Sequence, residues 1–212
     1  THVQNDYASS KTCSVKTIIV DANDDIVTSD TSSSQAIGAS SAYTFTQNLT
    51  VTDPCLWHPE SPYLYTVVTE VYDSSTHVDS YSTPVGIKTI AFDDTTGFSI
   101  NGERLIWVGT NRVSLYPWVG INMSDFQQKL DVQRMKDAGW QCVRNSHCPM
   151  SDSYMQACDE LGVMTIDQIP GFHYYTSGDF EQNSYRDMKE LVRRDRNNAS
   201  VIIWELSLNE TD

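Results

Sequence analysis

The sequence predicts a β-rich first part followed by a parallel α/β second part, and three observations carry that expectation. Residues 1–89 hold segments rich in Val, Ile, Thr and Tyr, separated by Asx and Ser clusters. After Asp94, short apolar runs alternate with stretches of helical periodicity. The residues that follow those apolar runs are polar in every case.

In the first part, residues 14–20, 43–51 and 63–72 read as strands. Tyr65, Val67, Thr69 and Val71 alternate with Leu64, Thr66, Val68 and Glu70, which suits a sheet with one buried and one wetter face. This is a sandwich pattern. Residues 28–41, TSDTSSSQAIGASS, read as an exposed connection.

In the second part, residues 105–108 are the first short apolar run. A helix is expected over 124–138, with Phe126, Leu130, Met135 and Ala138 near one face and Ser124 as N-cap. Residues 141–144 read as the second strand. Ser151 or Asp152 caps a second helix carrying Tyr154, Met155, Cys158 and Leu161, and Gly162 stops it. Residues 163–166 give the third strand, 183–194 the third helix and 201–206 the fourth strand. Strand, helix, strand in this rhythm implies parallel strands with crossover helices. A (β/α) barrel and an open doubly wound sheet both fit that rhythm.

With 212 residues, two units of about 100 residues are the natural expectation. Acidic residues outnumber basic ones 28 to 14, and the resulting charge of −14 repels phosphate backbones and anionic lipid surfaces, which argues against nucleic-acid and membrane partners. No apolar run approaches the roughly 20 residues of a membrane span. The N-terminal Thr1 lacks an initiator Met or signal pattern, so the start is expected to be internal or processed. Cys13, Cys55, Cys142, Cys148 and Cys158 match no zinc spacing and read as buried thiols. Sequons begin at Asn48, Asn122, Asn198 and Asn209; an extracellular location is expected, and Asn48, Asn122 and Asn198 are its glycan candidates.

In parallel α/β architectures, sites gather at the carboxyl ends of the strands. Those ends bring forward Asn111 and Arg112; Arg144, Asn145, Ser146 and His147; Asp167, Gln168 and His173; and Asn209 and Glu210. Each has an ordinary structural reading, and Arg144 in particular can simply pair with a carboxylate. Four polar strand ends converging on one place is the functional signal.

Several segments then identify a family by resemblance. LWHPESPYLYTV at 56–67 and VGIKTIAFDDTTGFSINGERLIWVGTNR at 85–112 resemble the sandwich end and barrel entry of glycoside hydrolase family 2, the family of large β-galactosidases, β-glucuronidases and β-mannosidases. VRNSHCP at 143–149, ACDELGVMTIDQIPG at 157–171 and RRDRNNASVIIWELSLNE at 193–210 resemble its strand-two, strand-three and strand-four motifs. The resemblance implies an immunoglobulin-like β-sandwich over residues 1–89, followed over 90–212 by the first four βα units of a (β/α)8 barrel. YPWVG, IPGFHYY and the NETD ending look most like the β-galactosidase branch.

The resemblance also implies roles. The expected function is that of a retaining exo-β-glycosidase, most like a β-galactosidase, which needs two carboxyls roughly 5–5.5 Å apart. Glu210 matches the acid/base, Asn209 the residue that bonds the sugar 2-hydroxyl, and His147, Arg144, Asn111 and Arg112 the sugar-subsite positions. Tyr116, Trp118, Tyr174 and Tyr175 are candidates either for stacking on a sugar or for surface packing, and Trp204 reads as core. The nucleophile, barrel strands five to eight and an N-terminal sugar-binding domain are expected elsewhere in the polypeptide, so this stretch alone should be inactive. The partners expected are a carbohydrate substrate, the remainder of the chain and a possible second copy in a homo-oligomer. The family resemblance leaves room for a divalent or monovalent cation, but no ligands can be matched to it. Val113 stands where the family has His, SHCP replaces SHYP, Gln168 replaces an acidic residue and NNAS replaces NHPS. With the sequons, the missing imidazole motivates a second reading: a secreted structural or adhesive glycoprotein on an inactive glycosidase-like scaffold.

Overall fold

A computed structural model of the chain describes residues 1–170 and 176–206. It divides into two compact units, Thr1–Cys55 with Leu64–Val85, and Leu56–Tyr63 with Gly86–Asp212.

The first unit is all β. Its strands are β1 (His2–Asn5), β2 (Lys11–Val20), β3 (Ile26–Thr31), β4 (Gln35–Ile37), β5 (Ser41–Thr44), β6 (Tyr65–Asp73) and β7 (Thr76–Val85). One sheet runs β3-β2-β6-β7 with β4 also on β2, and the other pairs β1 with β5. All pairings are antiparallel, and Val15 stands opposite Val71. Cys13, Val15, Ile37 and Phe45 form the core, with Val3 and Val71 against it. Two expectations change here. Residues 28–41 are not only an exposed connection: 28–31 belong to β3, 35–37 to β4 and 41 to β5, and Ile37 is buried in the core. The strand expected over 43–51 ends at Thr44, and Gln47 bonds instead through its side chain to Thr17 and Asp30.

The second unit opens with a small antiparallel sheet of β8 (Ile90–Asp93), β9 (Gly97–Ile100) and β10 (Glu103–Arg104). It continues as β11 (Gly109–Val113), α1 (Asp125–Asp137), β12 (Cys142–Ser146), α2 (Asp152–Leu161), β13 (Met164–Gln168), α3 (Asp179–Asp195) and β14 (Val201–Glu205). The four strands β11-β12-β13-β14 are parallel and lie in sequence order. Sequential order is that of a singly wound barrel; a doubly wound sheet reverses direction at a switch point.

The first parallel strand lies later than the apolar run at 105–108. Gly109 begins it because a Cβ there would sit 2.4 Å from the Cys142 carbonyl oxygen, so only glycine permits this strand approach. The helix stops are those the sequence signals. Ser124 and Gln127 close a capping box on α1, Ser151 caps α2, and Gly162 ends α2 at φ 72°. Phe126, expected to face the core, is 72% exposed; Gln128, Val132 and Met135 are the buried face of α1. The helix-side core gathers Val132, Met135, Val143, Met150, Tyr154, Met155, Cys158 and Val201, and Trp204 packs against it.

Residues 56–63 belong to the second unit through Trp57. Its indole Nε1 donates to the Asp159 carbonyl at 2.9 Å, and Asp159 in turn accepts from Ser200 N and Asn198 Nδ2, each at 2.8 Å. Burial pushes the Asp159 carboxyl up and the Lys88 ammonium down. All five cysteines are free; Cys13, Cys142 and Cys158 are buried, whereas Cys55 is exposed.

Candidate active site

A residue on a strand points to the face opposite its neighbour, and parallel pairing puts residues in register on the same face. Val143, Val201 and Trp204 pack on the helices, so that side of the sheet is covered. Asn111, Arg144, Ser146, Gln168 and Glu205 belong to the other side.

On that face the polar groups bond one another. Ser146 Oγ donates to Asn111 Oδ1 at 2.6 Å. The Arg144 guanidinium grips Glu205 with two bonds, Nε to Oε2 at 2.7 Å and Nη2 to Oε1. Both side chains are about four-fifths buried, at 23% and 21% exposure. Gln168 stands in register with Glu205 and is fully buried, and neither its Nε2 nor its Oε1 has a hydrogen-bond partner among the described residues. His147 follows Ser146 through a cis peptide bond, and its Nδ1 is likewise buried without a partner there. Asn111, Arg144 and Ile166, with Trp107, Gly109, Thr110 and Cys142, line a depression of about 360 Å³.

Arg112 does not join this group. It is 6% exposed on the helix side, where Nε donates to Asp131 at 2.9 Å, Nη2 to Gln128 at 2.8 Å, and the guanidinium lies 4.3 Å from the Tyr154 ring centre. Adjacent strand residues face opposite ways, so Asn111 and Arg112 cannot both reach one ligand, and Arg112 leaves the sugar-binding set. A second correction concerns Asn198. Its amide nitrogen donates to Asp159 and the sequon serine Ser200 is fully buried, so this sequon is closed to a glycan in the folded chain; Asn48 and Asn122 are exposed. Tyr116 Oη accepts from Arg134, and Trp118, 98% exposed, sits in the turn closed by the mutual bonds of Tyr116 and Gly120. Glu210, Asn209, His173, Tyr174 and Tyr175 lie outside the described residues.

Glu205 was not singled out by the sequence. Its signal is parity: an acidic residue in a parallel strand, in register with Gln168 and on the face that Arg144 shares. Among the described residues no group of three His, Cys, Asp or Glu side chains is gathered to hold a metal ion, so no cation ligands are assigned. The thiol of Cys142, pushed up to about 12 by burial, is no nucleophile.

Parallel strands in barrel order, with polar groups on the face away from the helices, define a TIM-barrel unit whose site lies at the strand ends. The chain belongs to the glycosyl hydrolases family 2: the family model of that name matches residues 1–88, and the model of the family's TIM barrel domain matches residues 90–211. It is 34% identical over 166 residues to a β-galactosidase of Thermoanaerobacter pseudethanolicus, covering 78% of this chain and 22% of that protein. A β-glucuronidase of Formosa agariphila is 30% identical over 213 residues, covering 97% and 21% respectively. The structure of Bacteroides uniformis β-glucuronidase 2, covalently bound to cyclophellitol-6-carboxylate aziridine, matches with a TM-score of 0.90 at 26% identity over 96% of this chain and 25% of that one. The chain thus spans about a quarter or less of these relatives. Its architecture is the family's β-sandwich followed by the start of the TIM barrel.

Proposed function

We propose that the full-length protein is a retaining exo-β-glycosidase of β-galactosidase type, with Glu210 as acid/base. The observation that carries this reading is the polar face of the half-built barrel, where Asn111, Ser146, Arg144, Gln168 and Glu205 share one side of strands whose fourth member precedes Glu210 in the sequence. In double displacement, Glu210 protonates the glycosidic oxygen while a second carboxylate attacks the anomeric carbon; Glu210 then deprotonates the water that releases the sugar. Asn209 bonds the 2-hydroxyl, and Asn111, Arg144 and His147 line the sugar subsite. The relative that carries a covalently bound cyclophellitol-6-carboxylate aziridine supports a covalent route.

Between neutral and anionic sugars, the charge of the face favours a neutral one. Arg144 is the cation of this face among the described residues, and Glu205 neutralises it. An extracellular location with glycans at Asn48 and Asn122 belongs to the same proposal. In the full-length protein, Glu210→Gln is expected to lower kcat on unactivated β-galactosides by about 10²–10⁴-fold, the usual worth of general acid catalysis. A variant as active as wild type overturns the assignment, and a β-glucuronide cleaved faster than the matching β-galactoside overturns the sugar.

Val113 favours a second reading. It is half exposed at 51% and presents an apolar side chain where the family motif has an imidazole, as suits a scaffold without turnover. The sequence beyond residue 212 separates the two: a Glu ending a seventh barrel strand supports the enzyme, and its absence supports the scaffold.

A further inference from the structure

Asp167 lies on β13 next to Gln168 but faces the helices, and it is fully buried. Its Oδ1 is well served, accepting from Asn145 Nδ2 of β12 and from the Gln168 backbone N–H, each at 3.1 Å. Its Oδ2 is buried with no donor among the described residues. The group that acts on the Asp167 carboxyl from the helix layer is another carboxyl, that of Asp195 at the last position of α3, 2% exposed. Asp195 is itself gripped by Arg194, through Nε at 2.7 Å and Nη2 at 2.5 Å. Further out, Asp152 of α2 is a third carboxylate acting on Arg194. Two acceptors facing each other away from water repel; they attract only with a proton between them.

We propose that Asp167 and Asp195 hold one proton between them, and that this shared proton fastens the end of strand β13 to the last turn of α3, making Asp167 a positioning residue for the site-facing Gln168 beside it. One proton makes the trio of Arg194, Asp195 and Asp167 neutral; without it, a net negative charge is trapped behind the sheet. Asn145 completes the geometry as a neutral donor from the neighbouring strand. Burial and the facing Asp195 carboxyl push Asp167 up to about 7. A folded value above the ordinary carboxylate value of 3.8 means that the folded chain holds the proton more tightly than the unfolded one. The resulting stabilisation is fully present below that ordinary value, declines as pH rises, and is gone above about pH 7.

Asp167→Asn in the full-length protein tests this, because an asparagine reproduces the protonated acid: its Oδ1 keeps the bonds from Asn145 and Gln168 N, and its Nδ2 donates to Asp195 at every pH. The wild type is expected to show a protonated-carboxyl C=O stretch in infrared spectra near pH 6, and its melting temperature should fall by several degrees between about pH 5 and about pH 8. In Asp167→Asn the band should lose the share that Asp167 contributes, seen in the wild-type-minus-variant difference spectrum, and the pH-dependent fall should flatten, with the variant melting no lower than wild type at the alkaline end. Asp167→Ala, which lacks both the donor and the acceptor, should be destabilised at all pH values. An Asp167→Asn variant that melts lower than wild type by the same margin at every pH, or a wild type without the carboxylic band, overturns the proposal. Neither readout needs turnover, so the outcome is independent of the glycosidase reading.

Discussion

Replacing Arg112 by Ala separates a substrate ligand from a structural cation. The side chain is 6% exposed, so its removal empties a packed site, at a cost of about 1–2 kcal/mol even with relaxation. Gln128, 5% exposed, is left with an unanswered carbonyl oxygen, worth about 1–3 kcal/mol. The contact with the Tyr154 ring at 4.3 Å adds about 1–2 kcal/mol, and the Asp131 pair, 27% exposed on the acid side, adds at most about 1 kcal/mol. These losses share atoms and do not add fully, so the expected destabilisation is about 3–5 kcal/mol, among the larger effects of a single substitution. In scanning calorimetry of the full-length protein, the transition of the barrel should drop by roughly 10 °C, at about 2–4 °C per kcal/mol for a unit of this size or somewhat larger. Measured below that transition, KM for a β-galactoside should stay within about twofold of wild type, which is about 0.4 kcal/mol of binding. A transition that barely moves while KM rises tenfold or more would refute the placement of Arg112 on the helix side.

Two further outcomes follow from single positions. Gly162→Ala puts a Cβ 2.2 Å from the Pro59 carbonyl oxygen at a residue with φ 72°, and should destabilise the second unit by about 2–4 kcal/mol; a loss below about 1 kcal/mol in the same calorimetry would show that the close approach is not real. If the protein is secreted, peptide mapping by mass spectrometry should find glycans at the exposed Asn48 and Asn122 and none at Asn198, whose amide is bonded to Asp159; an occupied Asn198 would sink that burial argument.

The sequence conveyed the parallel layer well because its stops are chemical. Ser124, Ser151 and Gly162 end helices through their own hydrogen bonds or backbone freedom, whatever surrounds them. It conveyed strand one badly, since the apolar run at 105–108 resembles a strand, whereas the true strand starts at Gly109, chosen for its contact with Cys142 rather than for β propensity. The fully exposed stretches of β5 and β7 left no periodic trace, because an edge strand with both faces wet has no apolar alternation to read. Site residues divided in the same way. Asn111 and Arg144 were legible as strand-end polar groups, but whether a neighbour such as Arg112 shares their face depends on the parity of the strand. The partners Glu205 and Asp195 were illegible, since they come from strands and helices paired only in three dimensions.

That parity also shapes what the site can bind. Along β11 to β14 the charged groups are sorted by face: on the helix side, Arg112 meets Asp131, and Asp167 meets Asp195 and Arg194, while on the other face Arg144 meets Glu205. With the charges engaged, the other polar groups of that face are neutral: the exposed amide of Asn111, and the buried amide of Gln168 and hydroxyl of Ser146. An anionic sugar would have to draw Arg144 away from Glu205 and leave a largely buried carboxylate uncompensated, whereas a sugar of hydroxyls leaves the pair intact and meets donors and acceptors of its own kind. The same pair holds β12 to β14 across β13, so disturbing either the carboxylate or the guanidinium would loosen the fourth parallel strand as well as the polar face it shares.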